Sequence, residues 1–139
     1  MKAKVTLFAD GGSRGNPGPA AGGAVLIDEQ GAVMREVGVF IGIATNNVAE
    51  WRGLIEGLRA ALDAGIEELS IRLDSELVVR QVTGVYRVKH PDLIPLHKTA
   101  RGLLAKFKST DIAHVPRARN KEADAVVNRT LDEAMKAKS

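Results

Sequence analysis

The pattern of apolar and polar positions begins with short strands and continues with helices. Apolar and polar residues alternate over residues 3–9, which is typical of a half-buried strand. Two further strand-like runs, at 22–28 and 33–42, flank the turn-forming sequence DEQG and therefore predict a hairpin. From Asn46 the apolar residues recur at helical spacing, and the Ala-Gly pair at 64–65 ends this helix.

The rest of the chain alternates between strands and helices. The predicted elements are a strand at 68–74, a helix that Ser75 can cap and that ends near Val82, a helix at 93–107, a strand at 111–115, and a helix at 121–136 that Asn120 can cap. The order βββαβααβα predicts one α/β domain over residues 1–139, with a five-stranded mixed sheet and helices packed on it. The strands at 3–9, 68–73 and 111–115 are expected to be largely parallel.

Two acidic residues stand at the ends of apolar strands. Asp10 and Asp74 each close an apolar run, so parallel neighbouring strands would bring both carboxylates to the carboxyl edge of the sheet. Open α/β sheets bind their ligands at this edge. Asp10 is followed by GGSRGNPG, which contains more turn-forming residues than a chain reversal needs. The sequence therefore predicts that the first strand ends at Asp10 and meets a functional loop.

Two further acidic residues lie near the start of predicted helices. Glu50 falls in the first turn of its helix and shares a face with Leu54, and Asp124 shares a face with Val127 in the last helix. Either carboxylate alone is explained by a favourable interaction with the helix dipole. This explanation is weaker for all four acids together, because burying a carboxylate is costly unless it is compensated.

A hard divalent cation is the natural compensation for four converging carboxylates. Mg²⁺ prefers carboxylate oxygens, keeps several waters and takes further ligands from substrate phosphates. Two such ions can clamp a phosphodiester, one activating the attacking water and the other stabilising the leaving oxygen. The acid pattern therefore predicts metal-assisted phosphodiester chemistry.

Other catalytic motifs receive no support from the sequence. The glycine-rich stretch lacks the G-K-[S/T] of a P-loop, and its glycines do not fit the G-x-G-x-x-G of a dinucleotide site. No Ser/His/Asp triad is indicated. His114 falls in a predicted strand, which favours a structural role, while His90 and His97 are spaced neither for zinc nor for an obvious base.

Charge is unevenly distributed along the 139 residues, whose net charge is +3. Residues 1–79 carry 7 Lys and Arg against 11 Asp and Glu, whereas residues 80–139 carry 13 against 6. The basic second half indicates either a polyanionic partner such as nucleic acid or a solubilising surface. There is no cysteine and no stretch typical of a signal peptide or membrane span, which favours a soluble cytoplasmic protein without a membrane partner.

Four sequence blocks resemble type 1 ribonuclease H. In the family's order they are FADGGSRGNPGPA, TNNVAEWRGLIEGL, LDSELVVRQVTG and RARNKEADAVVN, and the resemblance covers nearly the whole chain. It implies the ribonuclease H-like fold and hydrolysis of the RNA strand of RNA/DNA hybrids, giving 5′-phosphate and 3′-hydroxyl ends. It also implies two Mg²⁺ ions per site, for which Mn²⁺ is expected to substitute. We expect a monomer.

The family's catalytic D-E-D-D set falls on Asp10, Glu50, Asp74 and Asp124. By resemblance, Asp10 would bridge both metal ions, Glu50 and Asp74 would serve one ion, and Asp124 would serve the other. Asn16 would meet ribose 2′-hydroxyls, which distinguish RNA from DNA. The full set of implied substrate contacts is Gly11, Gly12, Ser13, Asn16, Thr45, Asn46, Asn47 and Glu76.

The chain departs from the family pattern at Glu76 and in the loop before the last aspartate. Glu76 stands where many members carry Gln for an RNA contact. The loop PRARNKEA has no histidine, although many bacterial members use one there to assist product release. Arg117 is expected to take its place, with Arg119 as the alternative.

A third departure concerns how the substrate is held. The connection between Val82 and Leu93 is too short for the basic helical handle that grips the hybrid in some members. Binding is therefore expected to rest on Arg87, Lys89 and the body of the sheet, although these two residues are equally explained as ordinary surface charge.

Three functions stay open at this point. A metal-dependent endoribonuclease is favoured because the four-acid set is intact, and added cleavage of double-stranded RNA is left open by the arginine in the loop. A hybrid- or duplex-binding module is disfavoured because degenerate relatives usually lose an acid. A related nuclease of the same fold, such as a junction resolvase or a retroelement fragment, is disfavoured because a stand-alone domain is expected.

Overall fold

The first half of the sheet is a meander of three antiparallel strands. The computed structural model describes residues 4–137, so position 3, where the first predicted strand begins, lies outside the described residues. Strand β1 (Val5–Ser13) pairs with β2 (Gly18–Ile27), and β2 pairs with β3 (Val33–Ala44). The predicted hairpin is formed by β2 and β3.

Two parallel strands complete the sheet on the other side of β1. The remaining elements are α1 (Asn46–Asp63), β4 (Glu68–Leu73), α2 (Glu76–Val82), α3 (Ile94–Leu104), β5 (Ser109–His114), a 3₁₀ turn (Arg117–Arg119) and α4 (Lys121–Ala137). The strand order is β3-β2-β1-β4-β5, with β4 parallel to β1 and β5 parallel to β4. The predicted α/β class, element order and parallel strands are confirmed.

The glycine-rich stretch after Asp10 is mostly strand. The prediction that the first strand ends at Asp10 was wrong, because β1 continues to Ser13 and pairs there with Ala20 of β2. The turn is confined to residues 14–17. Pairing with a neighbouring strand satisfies the backbone hydrogen bonds of these glycines, and this outweighs their local preference for turns.

Glycine lets α1 approach the sheet closely. A Cβ atom added to Gly11 would lie 2.1 Å from the carbonyl carbon of Ala49 in α1. One added to Gly12 would lie 3.6 Å from Cγ1 of Val127 in α4. Because successive strand residues point to opposite faces, α1 and α4 cover opposite faces of the sheet. Helix packing therefore explains the glycine at position 11.

The larger core lies between α1 and the sheet. Trp51, Leu54 and Leu58 of α1 are fully buried there. A smaller cluster on the other face contains Val127 and Leu131 of α4, so the apolar stripes predicted for both helices face the sheet. No helix in the described part of the chain has the length and apolar character of a membrane span.

Helix capping follows the prediction for α2 but not for α4. The Ser75 hydroxyl accepts a hydrogen bond from the Val78 N–H at 3.2 Å. The Asn120 side chain does not cap α4. Its Nδ2 donates to the Ala9 carbonyl at 2.9 Å, and its Oδ1 has no hydrogen-bond partner. Asn120 therefore joins the start of α4 to the central strand.

Candidate active site

Four acidic side chains from four different parts of the fold line one cleft of about 650 Å³. Asp10 lies within β1, and Asp74 directly follows β4. Asp124 is in the first turn of α4, as predicted. Glu50 lies beyond the first turn of α1, because the helix begins at Asn46. The structure therefore brings together all four acids that the sequence singled out.

Strand pairing and helix packing explain why the acids meet. Ala9 of β1 pairs with Leu73 of β4. The residues that follow these two, Asp10 and Asp74, therefore reach the same edge of the sheet. Glu50 reaches this edge because the α1 backbone rests directly on β1. Asp124 comes from α4, on the opposite face of the sheet.

Burial and like charges make this cleft unfavourable for ionised acids. Asp10 is 9% exposed. Its pKa is raised to about 7, mainly by desolvation and then by the charge of Asp74. Burial also raises the pKa of Glu50, while a hydrogen bond with Ser75 and the charge of Arg117 oppose this rise. The cluster thus carries more negative charge than its surroundings neutralise.

Two carboxylate oxygens in this cluster, Glu50 Oε2 and Asp74 Oδ2, are buried without a hydrogen-bond partner. A hard divalent cation would compensate such oxygens, so the donor set fits Mg²⁺ or Mn²⁺. Among residues 4–137, no three Asp, Glu or His side chains already stand close enough together to enclose an ion. To hold an ion between three of these acids, their side chains would have to turn toward it.

Of the two arginines considered for the missing loop histidine, Arg117 is the one that faces the acids. It lines the acidic cleft, and its charge lowers the pKa of Glu50. Arg119, at the other end of the 3₁₀ turn, is not among the residues that line the cleft. This position supports Arg117 as the replacement, and its role stays a prediction.

Most of the predicted substrate contacts lie along two adjoining clefts. The acidic cleft also contains Gly11, Gly12, Ser13 and Asn46, while a second cleft of about 460 Å³ contains Asn16, Thr45, Asn46 and Asn47. The two clefts share Asn46 and Glu50. They therefore form a continuous polar surface that runs from the acids along the start of α1.

Glu76 is the predicted contact that lies apart from both clefts. Its Oε1 accepts a hydrogen bond from Arg80 Nε at 2.8 Å, one helical turn further along α2. The Glu76 side chain is exposed. Its contact with a substrate stays a prediction.

Hydrogen bonds fix the tip of the β1–β2 hairpin to the start of α1. The Ser13 N–H donates to Asn46 Oδ1 at 2.8 Å, and the Asn46 N–H donates to Asn16 Oδ1 at 3.1 Å. The Thr45 hydroxyl caps α1 by accepting from the Val48 N–H at 3.3 Å. These residues thus hold one another in place at the junction of the two clefts.

Sequence reasoning gave no site role to several residues that line the clefts, among them Arg14, Asn128 and His90. Arg14 lines the acidic cleft and binds Asp132 of α4, with 2.7 Å between Nη2 and Oδ1. Asn128 also lines it and donates to Asp124 Oδ2 at 3.3 Å. Helical spacing after Asp124 could have indicated Asn128, whereas His90, in the second cleft, is brought there by tertiary structure.

Comparison with known proteins identifies the family. The family model described as "Reverse transcriptase-like" matches residues 8–130. The structure is similar to the N-terminal ribonuclease H domain of Rv2228c from Mycobacterium tuberculosis, with a TM-score of 0.93, 47% identity, and coverage of 99% of this chain and 100% of that one. The chain belongs to the type 1 ribonuclease H family. The predicted family and the ribonuclease H fold are confirmed.

Two other ribonuclease H structures are similar to this ribonuclease H chain. Ribonuclease H1 from Halobacterium salinarum has a TM-score of 0.90 and 48% identity, covering 94% of this chain and 98% of that one. LC11 ribonuclease H1 in complex with an RNA/DNA hybrid has a TM-score of 0.89 and 39% identity, covering 94% and 99%. The chain spans 36% of the length of the curated Mycobacterium relatives that it matches at 49% identity.

Proposed function

We propose that this ribonuclease H chain hydrolyses the RNA strand of RNA/DNA hybrids with the help of two divalent metal ions. The observation that carries the proposal is the convergence of four carboxylates on one cleft, with buried oxygens that lack partners. The LC11 relative was solved in complex with an RNA/DNA hybrid, which supports this substrate. The products would carry 5′-phosphate and 3′-hydroxyl ends.

The four acids would hold the metal ions. Asp10 is the most buried of them and is flanked by the others, which suits a carboxylate shared by both ions. Glu50 and Asp74 would serve one ion and Asp124 the other. When bound, such a pair of ions supplies an activated water nucleophile and stabilises the leaving oxygen. Because the pKa of Asp10 is raised to about 7, a cation that binds at neutral pH would displace the proton from the protonated fraction of the molecules.

The polar surface beside the acids would hold the RNA strand. The hydrogen bond from the Asn46 N–H occupies Asn16 Oδ1 and leaves the two Nδ2 donors of Asn16 available. A ribose 2′-hydroxyl accepts such donors, and DNA has no group at that position. Because Asn16 is held by Asn46, and Asn46 by Ser13, this contact would be largely preorganised.

Arg117 would supply positive charge to the acidic cleft, close to Glu50. Its guanidinium suits a phosphate, either that of the scissile bond or the 5′-phosphate created by cleavage. We infer that it assists the departure of the product. This is the part that a loop histidine plays in many bacterial members.

A cleavage assay on four labelled substrates tests this function. An RNA/DNA hybrid, a double-stranded RNA, a single-stranded RNA and a DNA duplex are incubated with Mg²⁺ or Mn²⁺. The expected result is cleavage of the RNA strand of the hybrid, with a 5′-phosphate that a phosphatase removes. Binding of the hybrid without cleavage would instead identify a binding module, and cleavage of double-stranded RNA as well would show a broader substrate range.

A further inference from the structure

The most completely buried polar side chain near the acids is not itself an acid. Asn120 is 0% exposed, and it lies between the 3₁₀ turn that carries Arg117 and helix α4 that carries Asp124. Asn120 lies 111 positions after Ala9 in the sequence. Its Nδ2 nevertheless donates a hydrogen bond to the Ala9 carbonyl oxygen at 2.9 Å. Ala9 directly precedes Asp10.

Backbone contacts of Asn120 complete a connection between the two ends of the chain. Its carbonyl accepts the hydrogen bond of the Asp124 N–H at 3.1 Å, and its own N–H donates to the Arg117 carbonyl at 3.0 Å. A single residue therefore joins the residue before Asp10, the backbone of Asp124 and the turn that carries Arg117.

The asparagine is not explained by burial alone. The Ala9 carbonyl can only accept, so the donor must be Nδ2, and this orientation leaves Oδ1 buried without a partner. A leucine of similar size would avoid the cost of that unpartnered oxygen. The hydrogen bond to Ala9, in the strand that carries Asp10, is the contact that asparagine makes here and leucine would not make.

Asp124 is the acid for which such a connection matters most. Asp10 and Asp74 are aligned by direct strand pairing, and Glu50 sits on a helix whose backbone rests on β1 at Gly11. Asp124 lies at the start of α4, on the other face of the sheet. Helix α4 rests on β2 at Gly23, and Asn120 adds a direct link from the first turn of α4 to β1, the strand that carries Asp10.

We propose that Asn120 is a positioning residue that fixes Asp124 relative to Asp10, and that it thereby sets the spacing of the carboxylates for a pair of divalent cations. The proposal rests on the proposed function as far as the role of the metal ions is concerned. Residues that orient metal ligands typically alter metal affinity about 10-fold to 100-fold when they are replaced.

The test compares Asn120→Leu with the matched control Gln81→Leu. Gln81 is also a buried amide with an unpartnered oxygen, but it lies in α2 and does not line the acidic cleft. Three quantities are measured for each folded variant: the melting temperature, the Mn²⁺ affinity without substrate by calorimetry, and kcat and KM on the hybrid. If Asn120→Leu does not fold, Asn120→Ser is measured in the same way, because serine is too short to reach Ala9.

The expected result is that Asn120→Leu weakens Mn²⁺ binding at least about 10-fold and lowers kcat at limiting Mg²⁺, with little change in KM. Raising the Mg²⁺ concentration should restore part of the activity, and Gln81→Leu should change neither quantity. The proposal would be overturned if Asn120→Leu bound Mn²⁺ as tightly as the wild type and lost activity only in proportion to the fraction of protein that is unfolded. If the wild-type chain binds Mn²⁺ but does not cut the hybrid, the proposed function fails, while the affinity comparison still decides the role of Asn120.

Discussion

Asp10 and Asp74 lie side by side where the parallel strands β1 and β4 stop pairing, because Ala9 of β1 pairs with Leu73, the last residue of β4. Desolvation and the neighbouring charge of Asp74 raise the pKa of Asp10 to about 7. Ionising Asp10 in this position is therefore costly, and a ligand of opposite charge would compensate that cost.

The raised pKa predicts how stability changes with pH when no metal is present. The folded chain keeps the Asp10 proton up to about pH 7, whereas the unfolded chain loses it near the ordinary value of 3.8. The contribution of this group is therefore favourable at low pH and is lost as pH rises from about 4 to 7. Asp10→Asn should be more stable than the wild type at pH 8, by on the order of 3 kcal/mol, and nearly equal at pH 4.

Urea unfolding in EDTA at both pH values checks this prediction. Asp63→Asn is the control, because it removes the same charge from an exposed residue of α1 that pairs with Arg35. A stability difference between Asp10→Asn and the wild type that is the same at pH 4 and pH 8 would show that Asp10 titrates normally.

Replacing Gly11 by alanine should destabilise the protein strongly. The new Cβ would meet the backbone of Ala49 and Glu50 at 2.1 to 2.3 Å, and a helix backbone cannot move away without disturbing the core. We expect a loss of about 3 kcal/mol in the free energy of unfolding. Gly12→Ala is the matched control, with its nearest neighbour at 3.6 Å, and it should cost less than about 1 kcal/mol. Chemical denaturation that finds equal losses would contradict the close packing of α1 on β1.

Arg117 and Arg119 should differ in their effect on turnover. Of these two arginines, Arg117 is the one that lines the acidic cleft, so Arg117→Ala should lower kcat on the hybrid about 10-fold, whereas Arg119→Ala should change it less than about 2-fold. Arg117→Lys should recover part of the loss, because it keeps the charge but not the guanidinium. Steady-state kinetics on the hybrid at saturating Mg²⁺ measure all three variants. Equal effects of the two alanine variants on kcat would show that Arg117 has no special role in turnover.

The convergence of the acids could be predicted because it depends on local patterns. Asp10 and Asp74 each follow an apolar strand pattern, which predicts that they meet at one edge of the sheet, and helical spacing places Glu50 and Asp124 beside apolar stripes. The extent of β1 could not be predicted in this way. Its glycines favour turns locally, and only pairing with β2 makes them strand.

Contacts between distant parts of the chain were the hardest to predict. The Asn120–Ala9 contact joins residues that no pattern relates, and a helix cap was the better local expectation for Asn120. Arg14 likewise reaches Asp132 across most of the sequence. The Glu76–Arg80 pair differs, because its spacing of four residues on one helix made it predictable.

The most direct test of the metal-dependent site is cleavage of a hybrid with a labelled RNA strand by the wild type, Asp10→Asn and Asp63→Asn, each in Mg²⁺ and in EDTA. We expect the wild type and Asp63→Asn to cut the RNA strand in Mg²⁺ and not in EDTA. We expect folded Asp10→Asn to reduce cutting to background. Cleavage that persists in EDTA, or an Asp10→Asn protein that cuts as fast as the wild type, would show that the four acids do not form a metal-dependent active site.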